Sequence, residues 1–301
     1  MKIMGIVEVI WLTLRGGKVE KQILTGHTAP INRILRSSIV DGPGNRAVIF
    51  VQGCNYNCVY CHNPETINLC SGCGGCVIHC PTGAVAIRNG KQYWHSELCI
   101  MCDACIRTCS YNSSPRVRDL SASDIIQELK TAIAFVRGIT VSGGECTLYP
   151  EFLCDLFSCA HEKGLSCFLD SNGSCNFEQF PELLDCTDGI MLDIKAVSNY
   201  KSVSGVHDTF ILDKAVFLAE RRKLWEVRTT IVPNLMDAFE VVHKTCEAIA
   251  LADNKIRYKL IKYRPMGVRK LQVTSLEIPD DGLMDKLADI VAGYSMTPVI
   301  V

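Results

Sequence analysis

Eleven of the chain's 18 cysteines lie between positions 54 and 109, and the first three form a group of their own. Cys54, Cys58 and Cys61 are spaced C-x3-C-x2-C directly after the apolar run 47–52. A 4Fe–4S cluster takes four ligands, so three thiolates leave one iron open to a further ligand. A zinc site with a distant fourth ligand and three unligated thiols are the alternatives, but zinc sites generally use spaced pairs of ligands. The triplet therefore favours an enzyme with chemistry at an open iron.

The other eight cysteines of this region form two quartets, each with the spacing C-x2-C-x2-C-x3-C. Bacterial ferredoxins with two 4Fe–4S clusters use this spacing, and the fourth cysteine of each run binds the cluster of the other run. The crossed arrangement predicts one cluster on Cys70, Cys73, Cys76 and Cys109, and a second on Cys99, Cys102, Cys105 and Cys80. Pro81 follows the first run, as this pattern expects, whereas Ser110 follows the second. Zinc is the alternative, and we favour three 4Fe–4S clusters in total.

Glycines and polar residues stand at the ends of four later strand-like runs. They are Gly143, Gly144 and Glu145 in GITVSGGE, Asp170 and Ser171 in LDSNG, Met191, Asp193 and Lys195 in MLDIK, and Arg228 in VRTTIV. Ligand sites of parallel α/β folds form at the carboxyl ends of the strands, so we expect these residues beside the triplet. Glu145 could meet a cationic amine there, although a GGE sequence can also be a simple turn. Arg228 needs an anion, and a structural ion pair with Asp193 or Glu145 is the alternative to ligand binding.

Strand-like runs alternate with helical stretches from residue 47 onward. The strand-like runs are 47–52, 138–142, 166–170, 189–194, 226–232 and 256–262, and the helical stretches are 121–136, 150–163, 176–185, 211–223 and 236–251. This alternation predicts βαβ units and a parallel sheet. The expected fold class is α/β, a partial (β/α)6 TIM-like barrel.

Residues 66–117 interrupt this rhythm, because they are dense in cysteine and glycine and offer little apolar core. Asn89 and Gly90 predict a tight hairpin turn within the segment. We interpret it as an inserted α+β domain of ferredoxin-like type, stabilised by its metal. The predicted organisation is an N-terminal extension at 1–32, a barrel formed by 33–65 and 118–301, and the insert at 66–117.

The composition excludes several classes of protein. Hydrophobic residues make up 48% and charged residues 21% of the 301 residues, and the formal net charge is −1. Such a balance gives no reason to expect a nucleic-acid partner. No apolar stretch reaches the roughly 18–20 residues of a membrane span. A long chain of this kind indicates a reducing cytoplasm, where clustered cysteines indicate metal. We expect the seven cysteines outside the clusters to be free thiols.

Six sequence features, taken together, are typical of one family. They are VDGPG at 40–44, FVQGCNYNCVYCHN at 50–63, the two quartets, SGGE at 142–145, LDSNG at 169–173 and MLDIK at 191–195. They resemble the radical S-adenosylmethionine (SAM) enzymes that activate glycyl radical enzymes, and the two-cluster insert looks most like the YjjW-type activases. The resemblance extends from about residue 33 to near the end of the chain. It implies a barrel of the radical SAM type with the ferredoxin-like domain inserted.

The resemblance also implies a reaction. SAM is cleaved reductively to a 5′-deoxyadenosyl radical, which abstracts a hydrogen from a backbone glycine of the partner glycyl radical enzyme. Reduced flavodoxin or ferredoxin would supply the electron, and the ferredoxin-like clusters would pass it on. A radical SAM enzyme that acts on a small molecule is the alternative enzyme. A pure electron carrier would account for the quartets but not for the open triplet.

Residue roles follow from the same resemblance. Cys54, Cys58 and Cys61 would bind the catalytic cluster, and SAM would chelate its open iron through the amino and carboxylate groups. The expected SAM contacts are Tyr60, Cys61 and His62 at the adenine, Gly144 at the amine, Asp193, Ile194 and Lys195 at the ribose or carboxylate, and Arg264 at the carboxylate. A monovalent cation near SAM would be held by Asp170, Ser171, Met191 and Asp193. Asp41 would lie near the partner's glycine loop.

Overall fold

The computed structural model of the protein describes residues 26–207, 210–252, 255–267 and 275–301. Within these ranges the chain forms strands β1 (Thr28–Ser38), β2 (Arg46–Val51), β3 (Val85–Arg88), β4 (Lys91–Trp94), β5 (Arg118–Ser121), β6 (Gly138–Gly143), β7 (Ser166–Ser171), β8 (Gly189–Asp193), β9 (Leu224–Ile231), β10 (Arg257–Lys262) and β11 (Thr297–Ile300). Nine of them form one sheet in the order β11-β10-β9-β8-β7-β6-β2-β1-β5, and β3 pairs with β4 alone.

The same ranges contain helices α1 (Ala104–Thr108), α2 (Ala122–Leu129), α3 (Pro150–His161), α4 (Pro181–Cys186), α5 (Tyr200–Ser204), α6 (Ile211–Glu220), α7 (Ala238–Ala250) and α8 (Asp281–Gly293). Each of the five predicted helical stretches overlaps one of them, and only α4 extends beyond its predicted stretch, by one residue. Ser121 begins α2 with a capping box, in which its side chain accepts from the backbone N–H of Asp124 and the Asp124 carboxylate accepts from that of Ser121. None of the helices within the described ranges is long and apolar enough to cross a membrane.

The sheet is mainly parallel, so the predicted α/β class is confirmed. The six predicted strand-like runs are β2 and β6 to β10, and β11 adds a further parallel strand beside β10. Strands β1 and β5 extend the other end with antiparallel pairing and were not predicted. β1 begins at Thr28, inside the segment 1–32 that we expected to be an extension, most of which lies outside the described residues.

The sheet is curled. Lys259 on β10 donates from Nζ to the carbonyl of Val40, in the loop between β1 and β2, at 3.3 Å. Five strands, β9, β8, β7, β6 and β2, separate β10 from β1 in the sheet, so this contact requires the two sides to approach each other. The curl brings the carboxyl ends of the parallel strands around a common space.

Beyond the cysteine triplet, the chain runs outside the nine-stranded sheet until it rejoins the sheet at β5. The entry and exit of this segment meet, because Asn68 and Ser113 form a bridge and the backbone N–H of Asn68 donates to the carbonyl of Asn112 at 3.2 Å. Between them, β3 and β4 form the hairpin expected from the sequence, with positive φ at Asn89 (51°) and Gly90 (71°). The boundaries at 66 and 117 and the ferredoxin-like nature of the segment stay predictions.

A buried arginine joins three strands at the amino edge of the sheet. Arg46, at the start of β2, is fully buried and donates to Thr140 Oγ1 at 2.8 Å and to the carbonyls of Ile139 and Ser166 at 2.6 and 2.8 Å. Its guanidinium also lies 4.3 Å from the ring centre of Phe168. Burial lowers the pKa of Arg46 to about 10, so it is still charged at neutral pH. The charge is stabilised by oriented carbonyls and a ring face.

We expect Arg46→Met to lower the free energy of unfolding by about 3 kcal/mol or more, because several buried acceptors lose their donor together. Chemical denaturation followed by circular dichroism measures the change. Arg36→Met on the exposed side of β1 is the matched control and should change stability by less than about 0.5 kcal/mol. Equal effects of the two substitutions would contradict the role of Arg46.

Candidate active site

The loop that carries the cysteine triplet, residues 53–67, begins directly after β2. Its start is bonded to its own end, since Gly53 N donates to the carbonyl of Thr66 and Cys54 N donates to that of Ile67, both at 2.8 Å. Its middle is held by α5, through Val59 N and the carbonyl of Val203 at 3.0 Å. The triplet is therefore fixed between the carboxyl edge of the sheet and a neighbouring helix.

Two glycines allow β6 to end against this loop. Gly143 has φ of +112°, and a Cβ there would lie 2.5 Å from the backbone N and O of Val51. A Cβ on Gly144 would lie 2.0 Å from the carbonyl oxygen of Gly53. Both positions therefore need glycine, and the SGGE motif serves close backbone packing as well as any ligand contact.

One cavity at the carboxyl edge of the sheet collects most of the predicted site residues. Those that line it are Cys54, Cys58, Tyr60, Cys61, His62, Gly143, Gly144, Asp170, Ser171, Asp193, Lys195 and Arg228. The sequence interpretation did not single out Tyr56, Asn63, Thr66, Ile67, Ser142, Asn172, Thr230 and Ile261, which also line it. Most of these missed residues lie inside or next to the motifs quoted above. Thr230 stands two residues after Arg228, and residues two apart in a strand lie on the same face, so the strand pattern could have identified it.

The three thiols of the triplet lie at the wall of this cavity. Cys58 is buried, and Cys54 and Cys61 are partly buried. Burial raises the pKa of Cys54 to about 12 and that of Cys61 to about 11. These thiols are therefore protonated at neutral pH when no cation is near, and binding a metal cluster must release their protons.

Glu145 is not among the residues that line the cavity, contrary to the expected contact with a cationic amine. Its carboxylate is fully buried and accepts from Thr147 Oγ1 at 2.6 Å, Thr147 N at 3.1 Å, Ser171 Oγ at 2.9 Å and Asn172 N at 2.7 Å. Burial raises the pKa of Glu145, and these donors oppose that shift. The side chain joins the end of β6 to the end of β7.

Arg228 is buried, and its partners differ from those proposed as the alternative. Nη1 lies 3.1 Å from Asp170 Oδ2, Nε lies 2.7 Å from Glu226 Oε1, and Nη2 lies 2.7 Å from Met191 Sδ. Ion pairs with Asp193 or Glu145 are absent from the pairs formed by the described residues. Burial alone would lower the pKa of Arg228, but Asp170 and Glu226 outweigh it and the pKa is raised. Asp170 has a raised pKa because of its own burial, despite the arginine.

The MLDIK strand directs a second ion pair into the cavity. Lys195 Nζ lies 2.5 Å from Asp193 Oδ2. Burial would lower the pKa of Lys195, but Asp193 raises it well above its ordinary value, so the ammonium is retained. Ile194 faces the other side, is fully buried in the apolar core and does not line the cavity. The alternation of a strand accounts for the difference.

The adenine side of the expected site contains His62 and Tyr263, whose rings stack at 6.0 Å with an angle of 14°. His62 Nε2 lies 2.8 Å from the backbone carbonyl of Arg264. The side chain of Arg264 is exposed and does not line the cavity, and its expected contact with the SAM carboxylate stays a prediction. Its contribution is through the backbone, which holds His62.

A second cavity lies in the segment after the triplet and is lined by five of the quartet cysteines, Cys70, Cys73, Cys76, Cys105 and Cys109. Four of them are the set that crossed ligation predicts for one cluster. Cys80 and Cys99 lie elsewhere, with their sulfurs 3.8 Å from Thr82 Oγ1 and Met101 Sδ, respectively. Cys109, the fourth cysteine of the second run, lies with three cysteines of the first run, but Cys105 lines the same cavity, so the crossed ligation stays a prediction.

The cavity at the carboxyl edge of the sheet, which we call the main cavity, fits a cluster with a bound small molecule. Three thiols on one loop open into it, and thiolates are the ligands that iron–sulfur clusters use. Tyr60 also lines it, and the hydroxyl of this residue is buried without a hydrogen-bond partner among the described residues. A buried polar atom of this kind needs a partner, and a bound molecule can provide it.

Comparison with known proteins agrees with this geometry. The profile of the Radical SAM superfamily matches residues 48–246. The pyruvate formate-lyase-activating enzyme of Streptococcus mutans is 30% identical over 283 residues, which cover 90% of each chain. That of Clostridium pasteurianum is 30% identical over 268 residues, covering 85% of this chain and 92% of the relative. The crystal structure of QueE from Escherichia coli shares the fold, with a TM-score of 0.54 and 14% identity over 95% of this chain and 99% of that one. The chain therefore belongs to the radical SAM superfamily, in the group that contains the pyruvate formate-lyase-activating enzymes.

Proposed function

We propose that this protein is a radical SAM activase that generates a glycyl radical on a partner enzyme. The observation that carries the proposal is the main cavity, in which the triplet thiols lie beside the glycines that end β6 and the Asp193–Lys195 pair. The pyruvate formate-lyase-activating enzymes that cover most of the chain support the same activity. When bound, the cluster and SAM supply reductive cleavage to a 5′-deoxyadenosyl radical that takes a hydrogen from the partner's glycine.

The residues of the cavity bind and orient SAM in this proposal. The ammonium of Lys195 meets the SAM carboxylate, and the backbone at Gly144 meets the amino group. The free hydroxyl of Tyr60 gives a further polar contact. Tyr56, packed edge-on against Tyr200 at 5.9 Å, helps to exclude water from the radical.

The monovalent cation near SAM stays a prediction. Asp170 and Met191 contact the guanidinium of Arg228, and Asp193 contacts Lys195. A cation at these groups would therefore require both basic side chains to move. Without that movement, Arg228 and Lys195 themselves neutralise the carboxylates.

The two quartets are proposed to form a ferredoxin-like electron relay. The cavity lined by Cys70, Cys73, Cys76 and Cys109 supports the first of the two clusters. Reduced flavodoxin or ferredoxin is the proposed donor, because the relay needs a low-potential one-electron partner. The partner glycyl radical enzyme would receive no electron from the relay; its glycine would lose a hydrogen atom, which converts the 5′-deoxyadenosyl radical to 5′-deoxyadenosine.

The central experiment is anaerobic incubation of the reconstituted protein with SAM, a low-potential reductant and a glycyl radical enzyme from the same organism. We expect a glycyl radical doublet in electron paramagnetic resonance (EPR) and one methionine released per radical. Cys58→Ala should abolish both, whereas Cys159→Ala, outside the clusters, should abolish neither. SAM cleavage without a protein radical would favour the small-molecule enzyme.

Iron analysis tests the relay separately. Full reconstitution should give about 12 irons per chain, three clusters of four. Cys73→Ala and Cys109→Ala should each reduce the content toward about 8, and if ligation is crossed the double variant should also keep about 8, since both cysteines belong to one cluster. Cys159→Ala is the matched control and should keep the full content. A wild-type content near 4 would contradict the relay.

Lys195→Met should weaken SAM binding by about 10-fold or more, because a charge-assisted hydrogen bond is worth about 1.5–3 kcal/mol. Equilibrium binding to the reconstituted enzyme measures the dissociation constant, and iron content should not change. Lys201→Met on α5 is the control, since Lys201 is exposed and does not line the cavity. Unchanged SAM affinity of the Lys195 variant would contradict the proposed contact.

A further inference from the structure

Asn172 directs a side-chain donor at one of the triplet cysteines. The residue is 7% exposed and lies just beyond β7. Its Oδ1 accepts from the backbone N–H of Ser174 at 2.9 Å, which fixes the orientation of the amide group. Nδ2 then lies 3.7 Å from Cys54 Sγ and 3.1 Å from Asn55 Oδ1. Both N–H bonds of the amide are thereby assigned, and one of them points to the sulfur.

The position of Asn172 is held by the buried carboxylate of Glu145. The backbone N–H of Asn172 donates to Glu145 Oε2 at 2.7 Å, and the neighbouring Ser171 donates from Oγ to Oε1 at 2.9 Å. Glu145 in turn follows the glycines that pack against the triplet loop, and its own N–H donates to the carbonyl of Gly53 at 2.8 Å. The donor and the sulfur are therefore fixed by one continuous set of contacts.

A hydrogen bond to a cluster thiolate has a defined electronic effect. Reduction adds negative charge to the cluster and its sulfurs, and an N–H donor stabilises that charge more strongly in the reduced state. Hydrogen bonds to the sulfurs are among the factors that set the potentials of iron–sulfur clusters. The backbone N–H of Tyr56, 3.4 Å from the same sulfur, acts in the same direction. A side-chain donor differs because a substitution can remove it.

We propose that Asn172 raises the reduction potential of the catalytic cluster by donating a hydrogen bond to Cys54. The inference rests on the proposed 4Fe–4S cluster at the triplet. Asn172 is in this view a tuning residue, and Glu145 is the residue that positions it. The role assigned to Glu145 also explains why its carboxylate is buried with four donors although it does not line the cavity.

The test is a potentiometric titration of the reconstituted enzyme, followed by EPR. In the proposed function, SAM coordinates the open iron of the catalytic cluster and of no other cluster. The part of the EPR signal that changes when SAM is added therefore reports the catalytic cluster alone. We expect Asn172→Ala to shift this potential to a more negative value, and Asn172→Asp, whose carboxylate cannot donate, to shift it at least as far. Asn176→Ala is the matched control, because Asn176 is exposed and its Oδ1 caps the backbone of Glu178 without contacting a cysteine. The control potential should equal that of the wild type.

An unchanged potential in Asn172→Ala with full iron content would overturn the proposal. If the variants lose the cluster, wild-type enzyme labelled with side-chain 15N-asparagine keeps the proposal testable. A hyperfine coupling from one asparagine nitrogen to the reduced catalytic cluster is expected, and its absence would overturn the proposal equally. Failure of the proposed function gives a different result, since the wild-type enzyme would then have no SAM-sensitive signal.

Discussion

The close approach of two backbones fixes the geometry of the site. The loop with the cysteine triplet and the end of β6 meet at Gly53 and Gly144, where a single added carbon would lie 2.0 Å from a carbonyl oxygen. Because neither segment can move apart without breaking the hydrogen bonds at Gly53, the cysteines and the strand ends share one frame. The network from Glu145 to Asn172 extends this frame to β7. A cofactor bound between these groups therefore meets a preformed surface.

Charge balance is the second constraint on the inside of the sheet. Glu226 is 2% exposed and contacts Arg228 at 2.7 Å and Lys259 at 2.9 Å, while Arg228 also reaches Asp170. Each of these buried charges on β7, β9 and β10 thus has a partner of opposite sign, which offsets the cost of a low-dielectric interior. The partners come from β7, β9 and β10, with β8 between the first two, so the arrangement also fixes how these strands lie relative to one another. The main cavity at the carboxyl edge is lined by both acidic and basic members of such pairs, which suits a ligand that carries charges of both signs.

Local sequence rules predicted much of this arrangement. Some features depend only on residues that are close in sequence, so they can be predicted from the sequence alone. They are the cysteine spacing, the hairpin at Asn89 and Gly90, and the alternation of strands and helices. The partners of Glu145 and Arg228 could not be read in this way, because they are set by strand register and the curl of the sheet. The same holds for β1 and β5, whose antiparallel pairing joins residues about 90 positions apart. Asn172 was missed although it stands inside LDSNG, because its importance lies in the direction of its amide.

The meeting of Asn68 and Ser113 has a consequence for how such chains diversify. Forty-four residues, Leu69 to Asn112, depart and return at one point of the barrel surface. Because Asn68 and Ser113 are adjacent, a segment of almost any length can connect them. The entropic cost of closing a loop between two adjacent points grows only slowly with the length of the loop. The intervening segment is thus an exchangeable module: a descendant could lose it, enlarge it or replace it while the sheet and its catalytic edge kept their geometry. The junction would make the proposed electron relay an evolvable part of an otherwise constrained enzyme.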